Sequence, residues 1–217
     1  MLVAAAVALV VVSVGTFWYL GYRQGNVVLK TVNGQNITLR DLDRRGNLIK
    51  FLYGLTGPLD TETKKAILDT MVDEKLIRDE AQKRGFTVTD DELAALTSEW
   101  AGSLTTTYKS PLGITVARLR FGVTEAELTE YARLQIYTQK VYDDVTKDIT
   151  QASVTEADIQ AMYEEEKSTL DAQGLSLEQA RDTLTQDVLS KKRGDTYTKF
   201  LDELRSKATI TGPGLPG

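Results

Sequence analysis

The sequence predicts an all-α fold: one apolar membrane helix, then a multi-helix domain closed by a small β-sheet. Three observations carry that prediction. Every charged residue lies beyond Leu20, so the first segment and the remainder obey different physics. Helix-start signals then recur along the chain, most of them a Thr or Ser with an acid or amide three residues on. Strand-favouring stretches sit only near the two ends of the polar part.

The first segment reads as a transmembrane anchor over residues 1–22. Leu2 to Leu20 carries no charge, and a helix of that length spans roughly 28 Å, close to the hydrocarbon thickness of a bilayer. Trp18, Tyr19, Tyr22 and Arg23 follow at one end, the residue types that settle at the lipid headgroups. A cleaved signal peptide would end in small residues, whereas this stretch ends in Thr16-Phe17-Trp18-Tyr19. Arg23, Lys30 and Arg40 follow the apolar run and no Lys or Arg precedes it, which by itself favours a cytoplasmic domain. Long domains translocate largely regardless of that bias, and the expected location is the extracytoplasmic side of the cell membrane, single-pass.

Residues 23–26 form a linker, and a domain is expected over 27–211. Val27 to Val32 is rich in β-branched residues, Asn33-Gly34 is a two-residue hairpin signal, and Gln35 to Ile37 returns. Thr38 with Asp41 opens a first helix towards Tyr53, stopped by Gly54 and Gly57-Pro58. Asp60 or Thr61 opens a second, ending at Arg84-Gly85. Thr89 with Glu92 opens the third, Thr124 with Glu127 a long one to about Asp148, Thr155 with Asp158 another, and Ser176 with Gln179 the last, Leu177 to about Lys207. Lys109 to Gly113 reads as a turn and Thr115 to Phe121 as a short helix. Ala208 to Thr211 favours strand, and a lone strand cannot satisfy its own backbone groups. It is expected to pair with Val27 to Val32, before residues 212–217 end as a flexible tail.

Composition narrows the chemistry. At 217 residues, 41% hydrophobic and 26% charged, the chain is globular. Its net charge of −5 comes from interleaved signs without a basic stripe, so no nucleic-acid partner is expected. There is no Cys, which removes disulfides, thiolate chemistry and an acylated cysteine anchor. There is no His, which removes the usual general base and the commonest metal ligand. Asp90-Asp91-Glu92 and Glu164-Glu165-Glu166 suit helix starts and solvated faces and lack the spacing of a calcium loop. No catalytic residue, metal site or cofactor is expected.

Several stretches resemble a known family. Thr31-Val32-Asn33-Gly34-Gln35-Asn36-Ile37-Thr38 with Asp41-Leu42 is similar to the opening of SurA-type and PrsA-type chaperones. Leu68-Asp69-Thr70-Met71-Val72-Asp73-Glu74-Lys75-Leu76-Ile77, with Glu80-Ala81 and Lys83 to Thr89, resembles the family's second helix and following turn. Thr155 to Ile159 with Tyr163-Glu164-Glu165 resembles the helix leading into the family's parvulin isomerase domain, and Leu177 to Leu204 the helix returning from it. Only Lys167 to Ser176 separates those two helices here, and the parvulin site is built around histidines, so no isomerase activity is implied. The resemblance implies a non-enzymatic protein that shelters unfolded exported polypeptides in an apolar cradle, its residues 2–20 in the lipid bilayer. The same features suit an accessory subunit of a membrane protein complex.

Such binding needs accessible apolar and aromatic surface. Leu93, Leu96, Trp100 and Leu104 recur at helical spacing, Tyr108, Leu112, Ile114, Leu119 and Phe121 follow, and Phe51, Leu52, Tyr53 and Leu55 precede a Gly-Pro loop. Leu93, Leu96 and Leu119 are expected in the core. The candidate polypeptide-binding residues are Tyr53, Trp100, Leu104, Tyr108 and Phe121.

Overall fold

The computed structural model describes residues 25–215. Among them are seven α-helices and one three-stranded antiparallel sheet. The anchor expected over 1–22 and its interface residues Trp18, Tyr19, Tyr22 and Arg23 lie outside the described residues. Among the described residues no helix is long and apolar enough to cross a membrane.

The sheet forms as the β-branched ends require. Strand β1 (Val28–Val32) turns through Asn33 and Gly34, both at positive φ, into β2 (Gln35–Thr38). Paired positive φ values twist a two-residue turn the way the strands twist, and Asn and Gly tolerate them best. On the other edge of β1 lies β3 (Ile210–Thr211), antiparallel, with Val32 opposite Ile210 and Thr31 opposite Thr211. The expected pairing of the two ends is therefore present. Asn33 N–H donates to the Thr209 carbonyl at 2.9 Å, and Thr209 N–H to Asn33 Oδ1 at 3.0 Å. The chain expected to come loose at Gly212 is still held beyond it: Gly214 N–H donates to the Leu29 carbonyl at 2.9 Å.

Thr38 caps α1 (Leu39–Tyr53) through a reciprocal box with Asp41, and Gly54 closes it in the left-handed conformation. Asp60 caps α2 (Thr61–Lys83) by accepting from Thr63 N–H at 2.7 Å. Thr89 and Glu92 box the start of α3 (Asp90–Tyr108). The next helix, α4 (Pro111–Phe121), begins four residues before its expected start at Thr115. Ser110 caps it by accepting from Gly113 N–H at 3.0 Å, and Pro111 sits at the first helical position, where its missing N–H costs nothing. What reads as a turn is a cap followed directly by helix. Thr124 and Glu127 box α5 (Glu125–Thr146). A 3-10 turn at Gln151–Ser153 precedes α6 (Glu156–Ala172), and α7 (Leu177–Lys207) is the last helix among the described residues.

Where one domain over 27–211 is expected, the chain divides into two compact units. One contains the described residues up to Tyr137 with those from Ala208 on; the other is Thr138–Lys207. The first buries Leu29, Val32 and Ile37 of the sheet with Leu42 of α1 and Leu68, Val72, Leu76 and Ile77 of α2. A second apolar cluster in it gathers Leu48, Phe51, Leu104, Ala117 and Val123. In the other unit α6 and α7 pack on each other over Ile159, Met162, Leu170, Ala180, Leu184 and Val188. Glu156 meets Arg181 through two hydrogen bonds of 2.6 and 2.8 Å, and Asp158 meets Lys192 at 2.9 Å. The Arg193 guanidinium donates to the Ile149 carbonyl at 2.9 Å, tying α7 to the segment before the 3-10 turn.

Candidate functional site

The first unit carries three surface features built from its helices. The first is an apolar recess of about 200 Å³, lined by Leu52 and Tyr53 of α1, Leu96, Trp100, Ser103 and Leu104 of α3, and Tyr131 and Gln135 of α5. Trp100 and Tyr131 approach with ring centroids 5.7 Å apart. Burial holds the Tyr131 phenol above its ordinary pKa, with the Arg45 charge opposing. Tyr53 is 70% exposed, whereas Leu104 is buried at the bottom of the recess, 7% exposed.

Of the five predicted residues, then, Tyr53, Trp100 and Leu104 converge. Tyr108 and Phe121 do not line the recess. The Tyr108 ring stacks on Phe51 at 5.6 Å and its hydroxyl donates to the Phe51 carbonyl at 2.7 Å, so both ends of the side chain hold α3 to α1. Phe121 packs against the Phe51 cluster, with the Lys50 ammonium 5.5 Å from its ring centre. Leu104 belongs to that core as well as to the recess.

The second feature is an outward stripe on α4. Leu112, Val116 and Leu119 are 72%, 57% and 74% exposed. Spaced four and three residues apart, they share one face of the helix. Ile114, Ala117 and Phe121, on the opposite face, pack into the core. The expectation that Leu119 is core is thus incorrect: a helix apolar on both faces can bury only one against its own unit. Val116 and Leu119 already share a face in a helix begun at Thr115, and the start at Pro111 extends it by bringing Leu112 into register.

The third feature is a charged cleft of about 790 Å³ among β2, α1, α2 and α5. Its lining mixes Ile37, Leu48, Met71 and Leu134 with Arg44, Arg45, Lys75 and Arg78. Three of these cations meet a carboxylate. Arg45 pairs with the buried Glu74 and lies 4.6 Å from the centre of the Tyr131 ring; Arg78 meets Glu130 at 2.5 Å, and Arg44 meets Glu127 at 3.6 Å. Burial raises the Glu74 pKa, and the Arg45 charge and hydrogen bond oppose that. Lys75 has a different neighbour, the amide oxygen of Gln35 at 3.4 Å. From sequence, Asp41 and Glu127 of the lining read only as helix caps, and none of the cleft's cations reads as a binding residue. Among the described residues no group of acidic side chains is placed to hold a metal ion.

Comparison with known proteins places this architecture. Residues 1–107 match the SurA-like N-terminal domain family. Foldase protein PrsA of Clostridium botulinum strain Langeland is 28% identical over 151 residues, 63% of this chain and 44% of that protein. PrsA of strain Hall matches to the same extent. The match thus spans less than half the length of these curated relatives. A solved chain reported with PEB4 and the periplasmic protein Cj1289, two SurA-like chaperones of Campylobacter jejuni, superposes with a TM-score of 0.53 at 13% identity. The superposition covers 86% of this chain and 98% of that one, a likeness of fold. Residues 1–107 thus match a SurA-like N-terminal domain, and the chain is similar in sequence to the PrsA foldases.

Proposed function

We propose that this protein is a membrane-anchored, extracytoplasmic chaperone that binds unfolded polypeptides by exposed apolar surface and has no isomerase activity. One observation carries the reading: the outward stripe Leu112, Val116 and Leu119, large apolar side chains left in water by the unit they belong to. Tyr53, beside the recess, adds a half-apolar ring suited to a wet binding surface. Covering an aliphatic side chain contributes roughly 1.5–3 kcal/mol before ordering costs, so three of them hold a client weakly and with little sequence preference. Weak, tolerant binding is what a holdase requires.

The test is suppression of aggregation of a chemically unfolded client by the detergent-solubilised chain. Replacing Leu112, Val116 and Leu119 together by Ser is expected to abolish most of that suppression without lowering the thermal midpoint. Full suppression by the triple variant would sink the reading. External protease that cleaves the polar part only after cell lysis would sink the extracytoplasmic placement. Turnover in a proline-isomerisation assay would overturn the non-enzymatic assignment. The same stripe also suits a permanent seat in a membrane complex, and purification in fixed stoichiometry with other chains would favour that alternative.

A further inference from the structure

Among the described residues, one cation of the charged cleft is incompletely paired. Arg44, Arg45 and Arg78 each meet a carboxylate within the first unit, whereas Lys75 Nζ has the Gln35 amide oxygen at 3.4 Å, longer than an ordinary hydrogen bond. The acids nearest to Lys75 are engaged elsewhere. Asp41 accepts from the Thr38 N–H and hydroxyl at 2.9 and 2.8 Å, Asp79 from Asn33 and Gln35 at 3.4 and 3.2 Å, and Glu74 from Arg45. Partial burial withdraws the ammonium from water, and the neighbouring Arg78 charge adds to the strain; both lower its pKa. An ammonium has three donors, and here one of them has a long, neutral partner.

We propose that this cleft is a second subsite for the bound polypeptide, in which Lys75 receives a carboxylate flanked by apolar residues. The inference rests on the chaperone reading and assigns it a substrate chemistry. At about 790 Å³ the cleft has the size of a site for an organic ligand or a short stretch of chain, well beyond that of a simple ion. Ile37, Leu48, Met71 and Leu134 offer apolar surface to the neighbours of the carboxylate. A charge-assisted hydrogen bond in a partly dried site is roughly twice as strong as a neutral one, so the carboxylate gives affinity that the apolar stripe on α4 cannot. The carboxylate comes from an Asp or Glu side chain or from a chain terminus.

Three fluorescent apolar peptides of about nine residues test this on the full chain in detergent, by anisotropy. One has a free C-terminal carboxylate and no acidic residue; one is amidated with a single central Glu; one is amidated with Gln there. At least one carboxylate peptide is expected to bind about fivefold or more tighter than the neutral one. Lys75→Gln should erase the preference and Lys75→Arg retain it. The peptide that keeps the preference identifies the source of the carboxylate. Equal affinities for all three, or a preference that survives Lys75→Gln, overturns the proposal. So does an absence of peptide binding; aggregation suppression by the same sample then tells whether the chaperone reading falls with it or stands alone.

Discussion

Gly54 ends α1 at φ 64°, and a Cβ built there would lie 2.6 Å from Thr107 Cγ2. A side chain at this position meets both a disfavoured backbone and the neighbouring helix, so Gly54→Val is expected to cost about 2–3 kcal/mol, read from the urea midpoint. Arg45 is the other sensitive residue. Burial raises the folded-state pKa of its partner Glu74 above the usual carboxylate value, so folding favours the protonated acid; its stabilising contribution is present at low pH and is lost as pH rises through the folded value. Arg45→Met removes the charge that opposes this shift and should cost about 3–5 kcal/mol at pH 8, with a smaller loss at pH 5. Denaturant melts at the two pH values check the sign, and an equal loss at both would refute it. At this scale the caps were readable in advance, because each box is a local pair such as Thr38 with Asp41 or Thr155 with Asp158. The cleft was not. Its cations come from α1 and α2, its acids partly from α5, and only tertiary packing brings them together.

At the scale of elements, α4 illustrates how one boundary conceals a function. Begun at Thr115, its outer face shows only Val116 and Leu119; begun at Pro111, it gains Leu112, and the three form a stripe left exposed among the described residues. The α6–α7 pair is a different case: its limits are close to those the sequence indicates, and its stability is electrostatic as well as apolar. Hydrogen bonds from Thr155 and Lys192 hold the Asp158 carboxyl far below its ordinary pKa. A depressed folded-state pKa contributes stability above the usual Asp value, and that stability is lost as the solution becomes more acidic. Asp158→Asn should therefore lower the thermal midpoint at pH 6, and the gap to the parent should close progressively below about pH 4. Acid titration of circular dichroism at 222 nm follows it; a gap that stays constant would refute the mechanism.

For the whole molecule, the mainly helical architecture and the joined ends follow from the capped periodicity and from two strand-favouring segments that need each other. The division into two units does not follow, because capping marks where helices start and stop without saying which of them exclude water together. Ending the chain at Lys207 removes β3 and the Gly214 hydrogen bond to Leu29. Amide exchange of Val32 and Asn33 should then accelerate by at least an order of magnitude, while that of Val188 and Leu189 in the other unit keeps its rate.

The closure of β1 by β3 also fixes a timetable during synthesis. Thr138–Lys207 is one uninterrupted segment and can collapse as soon as it clears the ribosome, whereas the sheet must wait for Ile210 and Thr211. A strand made well before β3 is thus among the last to be completed. Until then β1 keeps an open edge, which makes the newborn protein, for a short time, a substrate for chaperones itself.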